Sequence, residues 1–202
     1  MNTDTVDPAL RARNLRTLAL LAALFLVPLA LAFFTYYGTS WRPVGSVNHG
    51  ELISPARPLP SSALPAVLPA QGASAPLFHD KWSLVYVGDG ACPQECQQAL
   101  YVMRQTRLSL NNDMTRVARV FLATSGCCAR ELLEREHPGL TVLDAGGAGA
   151  QALLAQFPAA GREHTLYVVD PLGNLMMSYD ARANPRGLLD DLKKLLRLSH
   201  IG

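Results

Sequence analysis

From Thr17 to Tyr37 the chain carries no charged side chain, and from Leu18 to Phe34 no polar one. At ~1.5 Å per residue a helix of this length reaches across the hydrocarbon of a bilayer, where backbone groups must be satisfied internally. The segment predicts one transmembrane helix over residues 17–37, with Pro28 in its middle and Tyr36, Tyr37 and Trp41 as an interfacial belt. Arg11, Arg13 and Arg16 precede it and Arg42 alone follows closely. That asymmetry puts the tail 1–16 in the cytoplasm and the rest of the chain outside, as a single-pass protein of a bacterial inner membrane with a periplasmic domain. A cleaved signal peptide is the competing reading, since Ala30-Leu31-Ala32 fits a small-x-small cut. The apolar run continues past that cut through Phe33 and Phe34 to the tyrosines, which favours an anchor.

The remaining length suits one domain with extras, and a net charge of +2 over 202 residues argues against a nucleic-acid partner. Residues 38–76 form a spacer in which Pro43, Pro55, Pro58, Pro60, Pro65, Pro69 and Pro76 recur without period. Within it Glu51-Leu52-Ile53 is a candidate edge strand. In the domain, 77–202, short apolar runs alternate with amphipathic helices, the pattern of an α/β fold with a mostly parallel sheet. Strands are expected at Trp82 to Val87, Val117 to Ala123 and Leu140 to Leu143, with a hairpin of His164 to Val169 and Asn174 to Tyr179 around Asp170-Pro171-Leu172-Gly173. Helices are expected at Glu95 to Leu110 with Arg104 and Arg107 outward, at Ala129 to His137, and at Ala150 to Phe157. A final helix is capped by Asn184, with Pro185 in its first turn and Leu188, Leu192, Leu195 and Leu196 as its stripe. This order, with right-handed crossovers, folds most simply as a thioredoxin-like domain with a central mixed sheet flanked by helices.

The candidate chemistry lies in Cys92-Pro93-Gln94-Glu95-Cys96, a thiol pair at a strand-to-helix turn. Positions four apart are neighbours on a helical turn, and unpaired amides at a helix start favour thiolates. The pair reads as a metal clamp, a redox disulfide or a structural bridge; so short a loop closes little chain entropy, which weakens the last. His164 stands at the entrance of a strand that the fold can bring beside the first helix; an ordinary strand-start histidine is the plain alternative. Two thiolates and an imidazole form a soft, low-coordination set suited to copper, while zinc would want a fourth ligand. Cys127 and Cys128 follow the second strand, and are open to four readings: a vicinal disulfide, a resolving thiol, an accessory metal site or buried apolar thiols. In an oxidising compartment a redox role is favoured. His49, His79, His137 and His200 are weaker candidates, with His137 complementing a helix dipole, and Asp89 reads as a turn residue.

The set resembles the Sco (SenC) family of membrane-tethered cytochrome c oxidase assembly factors. The anchor, Lys81-Trp82-Ser83-Leu84-Val85-Tyr86-Val87-Gly88 leading into Cys92-Pro93-Gln94-Glu95-Cys96, and His164 before Leu166-Tyr167-Val168-Val169-Asp170-Pro171-Leu172-Gly173 carry the resemblance. It implies that Cys92, Cys96 and His164 bind copper, as Cu(I) or Cu(II), for delivery to, or thiol reduction at, the binuclear copper centre of oxidase subunit II. Subunit II or other oxidase assembly factors would be the partners, and the protein a metallochaperone more than an enzyme. Gln97 and Gln94 stand where the family usually has proline and aspartate, and Ser125-Gly126-Cys127-Cys128 replaces its acidic loop, so the branch is divergent. A thiol-disulfide oxidoreductase working through Cys92 and Cys96, with Cys127 and Cys128 as accessory thiols, is the rival.

Overall fold

The computed structural model describes residues 8–38, 48–68, 77–199 and 201. Trp41, Arg42 and His200 fall outside them. The chain divides into two compact units, 1–46 and 47–202. The first contains helix α1, Pro8–Gly38, longer than the predicted 17–37 because the polar stretch before the apolar run is also helical. Pro8 opens it, where a missing amide proton costs nothing, and Pro28 lies inside. By length and composition Ala9–Gly38 can cross a membrane. Tyr36 and Tyr37 end it with their rings edge to face, 4.7 Å apart.

The second unit is built on one seven-stranded mixed sheet, ordered β1-β7-β6-β3-β4-β5-β2. Its elements are β1 (Glu51–Pro58), β2 (Ala66–Leu68), β3 (Trp82–Gly88), α2 (Gln94–Leu108), β4 (Val117–Ala123), α3 (Arg130–Glu136), β5 (Thr141–Asp144), α4 (Gln151–Leu154), β6 (Thr165–Val169), β7 (Asn174–Asp180) and α5 (Pro185–Leu198). β3, β4 and β5 run parallel at the centre, with Trp82 opposite Val117 and Val120 opposite Thr141. β6 joins β3 antiparallel, β7 folds back on β6, and β1 and β2 pair antiparallel at the two edges, so the sheet is mixed as expected but not mostly parallel: only β3–β4 and β4–β5 run parallel. The central strands read as continuous apolar runs because both faces are covered. Leu84, Tyr86 and Phe121 meet Leu100, Met103, Leu133 and Leu188 on one face, whereas Val85, Val87 and Leu122 meet Leu153 and Phe157 on the other.

The proline-rich segment contributes more to the sheet than its composition predicts. β1 begins at the anticipated Glu51, pairs with β7 and continues to Pro58, where an edge position tolerates prolines that cannot donate to a ladder. β2 pairs with β5 and extends the opposite edge, tied by Asp144 N donating to Pro65 O at 2.9 Å. A three-residue strand between prolines has no periodicity to reveal it.

Two details of side-chain placement differ from the sequence expectations. Arg107 does not point outward; its Nε donates to Val117 O at 2.7 Å. His137 is buried, and burial together with Arg119 and Arg104 pushes its pKa down, so it is no cationic cap on α3. Helix α5 begins as expected, with the Asn184 side chain accepting from Arg186 N at 3.0 Å. Asn184→Ala should cost about 1 kcal/mol, read from the midpoint of urea unfolding.

Candidate functional site: two cysteine pairs at one sheet edge

β3 and β4 end side by side in parallel, so the loops that leave them, 89–93 and 124–129, emerge at the same edge. In open α/β sheets this carboxyl-terminal edge is where ligands and reactive groups collect. The loops are tied together: Gly90 N donates to Ser125 O at 2.7 Å, Ala129 N to Gly90 O at 3.0 Å and Thr124 N to Gly88 O at 2.9 Å. Gly90 is the closest approach. A Cβ there would lie 2.7 Å from both Cys127 Cα and Ser125 O, so no larger residue allows this spacing. Asp89 behaves as a turn residue, its Oδ1 accepting from Ala91 N at 2.8 Å.

Cys92 and Cys96 are joined by a disulfide with Cα atoms 5.0 Å apart. Cys92 takes a left-handed backbone (φ 50°) just before α2, and Cys96 sits in that helix's first turn. Both belong to the core, 2% and 0% exposed. Cys127 and Cys128 are bonded to each other; Cys127 is exposed, and Cys128 is half-buried against the core cluster that contains Cys92 and Cys96.

His164 ends a short 3-10 turn, Arg162–His164, directly before β6. Its Nδ1 lies 3.3 Å from Glu163 Oε1. The turn is fastened to β3, the strand that leads into the first cysteine loop, by the Tyr86 hydroxyl donating to Glu163 O at 2.8 Å. The other end of that hydroxyl's surroundings is Gly88, whose added Cβ would meet Tyr86 Oη at 2.7 Å. Burial, followed by the charges of Glu163, Glu95 and Asp89, pushes the Tyr86 pKa up to about 12. Asp89, Glu95 and Glu163 are themselves exposed, so solvent screens their charges and burial is the main cause. In the disulfide form, no three His, Cys, Asp or Glu side chains are grouped to hold a metal among the described residues. The structure thus brings Cys92 to Cys96 and Cys127 to Cys128, and leaves His164 on the neighbouring turn. A tyrosine in an apolar run reads as core, and so the sequence does not reveal that the Tyr86 hydroxyl ties the His164 turn to β3. Tyr86→Phe should cost about 1 kcal/mol and lower the thermal midpoint by about 3 °C.

In fold, the chain is similar to apo Sco1 from Thermus thermophilus, at 20% identity and a TM-score of 0.52, over 76% of this chain and 99% of that one. It is similar to yeast Sco1 with copper bound, at 16% identity and a TM-score of 0.52, over 59% and 80%. A proposed protein disulfide isomerase from Bacteroides thetaiotaomicron matches at 12% identity and a TM-score of 0.51, over 75% and 95%. At these identities the likenesses establish the thioredoxin-like fold alone. No curated protein matches in sequence. A family model described as the transmembrane-like, thioredoxin-like, C-terminal domain matches residues 82–199, from the first core strand to the end of the last helix. The chain belongs to that transmembrane-like, thioredoxin-like family.

Proposed function

We propose that this protein is a membrane-tethered, Sco-like factor for cytochrome c oxidase assembly, carrying copper as cargo on Cys92 and Cys96. The observation that carries the reading is the meeting of these two sulfurs at one edge of the sheet, with the turn that carries His164 fastened through the Tyr86 hydroxyl to β3, the strand that leads into their loop. Once the disulfide is opened by two electrons, two thiolates on one turn offer Cu(I) a soft pair, and His164 is the ligand available from the adjacent turn. The partner is subunit II at its binuclear copper centre, or another assembly factor. The arginines in the first part of α1, Arg11, Arg13 and Arg16, ahead of the apolar run, keep the N-terminus cytoplasmic, and the domain works on the periplasmic side of a bacterial inner membrane.

A second reading, a periplasmic thiol-disulfide oxidoreductase that keeps acceptor cysteines reduced, is favoured by one observation. Cys92 and Cys96 already stand at bonding distance while His164 is not grouped with them. Anaerobic Cu(I) titration of the reduced full-length protein in detergent, against a competing chelator, separates the two. The copper reading expects one tightly held ion, lost in Cys92→Ser/Cys96→Ser and held about tenfold more weakly in His164→Ala. Binding retained in the double cysteine variant, or absent from the wild type, overturns it.

A further inference from the structure

We propose that Cys127–Cys128 is a second thiol-exchange site, the entry point through which an external dithiol protein reduces Cys92–Cys96. This rests on Cys92–Cys96 being the working pair, and it assigns a role to a motif that copper carriage leaves unused. Disulfide exchange needs in-line approach of a thiolate to a sulfur, and access decides which sulfur is attacked. Cys92 and Cys96 have almost no exposed surface, so a protein-sized reductant meets Cys127 first. Cys128 is half-buried and packs against the cluster that contains the inner pair, and the two loops are held together through Gly90.

The electrons balance over one cycle. A thiolate of the external dithiol attacks Cys127 Sγ and releases Cys128 as a thiolate. Cys128 attacks Cys92 Sγ, forming a Cys92–Cys128 bridge and releasing Cys96. The external partner's second thiol displaces Cys127, leaving that partner as a disulfide. Cys127 then attacks Cys128 Sγ, which frees Cys92 and restores the outer bond. The net change is one external dithiol oxidised and Cys92–Cys96 reduced, with the two protons carried from the dithiol to the inner sulfurs.

The test uses oxidised full-length protein in detergent, with reduced thioredoxin as the bulky dithiol, timed alkylation and peptide mass mapping. In Cys127→Ser/Cys128→Ser, opening of Cys92–Cys96 by thioredoxin should slow by about tenfold or more, because the accessible sulfur is gone. A small phosphine reductant verifies that the inner bond is intact and reducible in this variant. An unchanged rate with thioredoxin overturns the proposal. Independently, Cys96→Ser/Cys127→Ser under mild oxidation by glutathione disulfide should give a Cys92–Cys128 linked peptide; failure of these sulfurs to pair also overturns it. Cu(I) binding by pre-reduced wild type is scored separately: its absence removes the copper reading, while the thioredoxin rates still decide the relay.

Discussion

Asp191→Ala should lose about 3 kcal/mol of stability, measured by urea unfolding of the full-length protein in detergent. Asp191 lies on the buried side of α5, yet it is 5% exposed with a carboxylate to satisfy. It is satisfied by the start of the domain: His49 N donates to Oδ2 at 2.8 Å, Gly50 N to Oδ2 at 3.0 Å, and His49 Nδ1 stands 3.1 Å from Oδ1. Gly50 is itself buried, so the substitution leaves its amide without a partner, and hydrogen bonds to a charged acceptor are worth about 1.5–3 kcal/mol. The histidine ring is half exposed and screened by solvent, so the two backbone amides supply most of the loss. Gly187 allows this approach, since a Cβ there would lie 2.7 Å from His49 Cβ. Asp191→Asn keeps an oxygen acceptor for both amides and should cost about 1 kcal/mol; equal losses in the two variants would show that charge, not acceptance, is what α5 supplies. The consequence for function is mechanical. The chain entering from the anchor is clamped to the last helix before it forms the edge strand β1.

That clamp was not legible in the sequence, and the reason is physical. His49 reads as one residue of a spacer and Asp191 as one of two acids on an amphipathic helix, and nothing in either stretch announces a partner 142 residues away. Local signals did better. Trp82 to Gly88 and Val117 to Ala123 stand out because strands covered on both faces are apolar throughout, and α5 begins at its cap because Asn184 and Pro185 suit adjacent positions at a helix start. The place of both cysteine pairs at the sheet edge was readable from the strand-to-helix order. Their exposure was not: which pair is buried depends on how α2 and the loop 124–129 pack, not on spacing. The Cys127–Cys128 bond was one of four open readings for the same reason. Helical periodicity points Arg107 outward, because it cannot see the Val117 carbonyl that draws the side chain back to the sheet.

The same face of the sheet contains a residue that works against stability, and Arg119→Met should raise the unfolding free energy by about 2 kcal/mol at neutral pH. Arg119 points from β4 into the core face, 4% exposed. Its Nη2 donates to Pro138 O at 2.5 Å, but Nε and Nη1 have no hydrogen-bond partner among the described residues. The charges acting on it are those of Arg107 and Arg104, both repulsive, and burial is the larger cause that brings its pKa down to about 10. A guanidinium held near 10 instead of its ordinary value above 12 corresponds to about 3 kcal/mol of destabilisation in neutral solution, an upper bound on the gain because the Pro138 bond is also lost. The sign of the pH dependence follows. Between about pH 10 and 12 the unfolded chain keeps the proton that the folded chain releases, so the wild type recovers stability as pH rises through that window. Methionine has nothing to titrate, and the advantage of the variant should therefore shrink above pH 10. Tyr86, with its pKa raised, loses folded-state stability over the same range, but it does so in both proteins and cancels in the difference. Urea unfolding of the pair at pH 7, 9 and 10.5, followed by the fluorescence of buried Trp82, measures the gap. A variant less stable than wild type at pH 7 would mean that Arg119 finds more favourable interactions in the core than its one hydrogen bond to Pro138 provides.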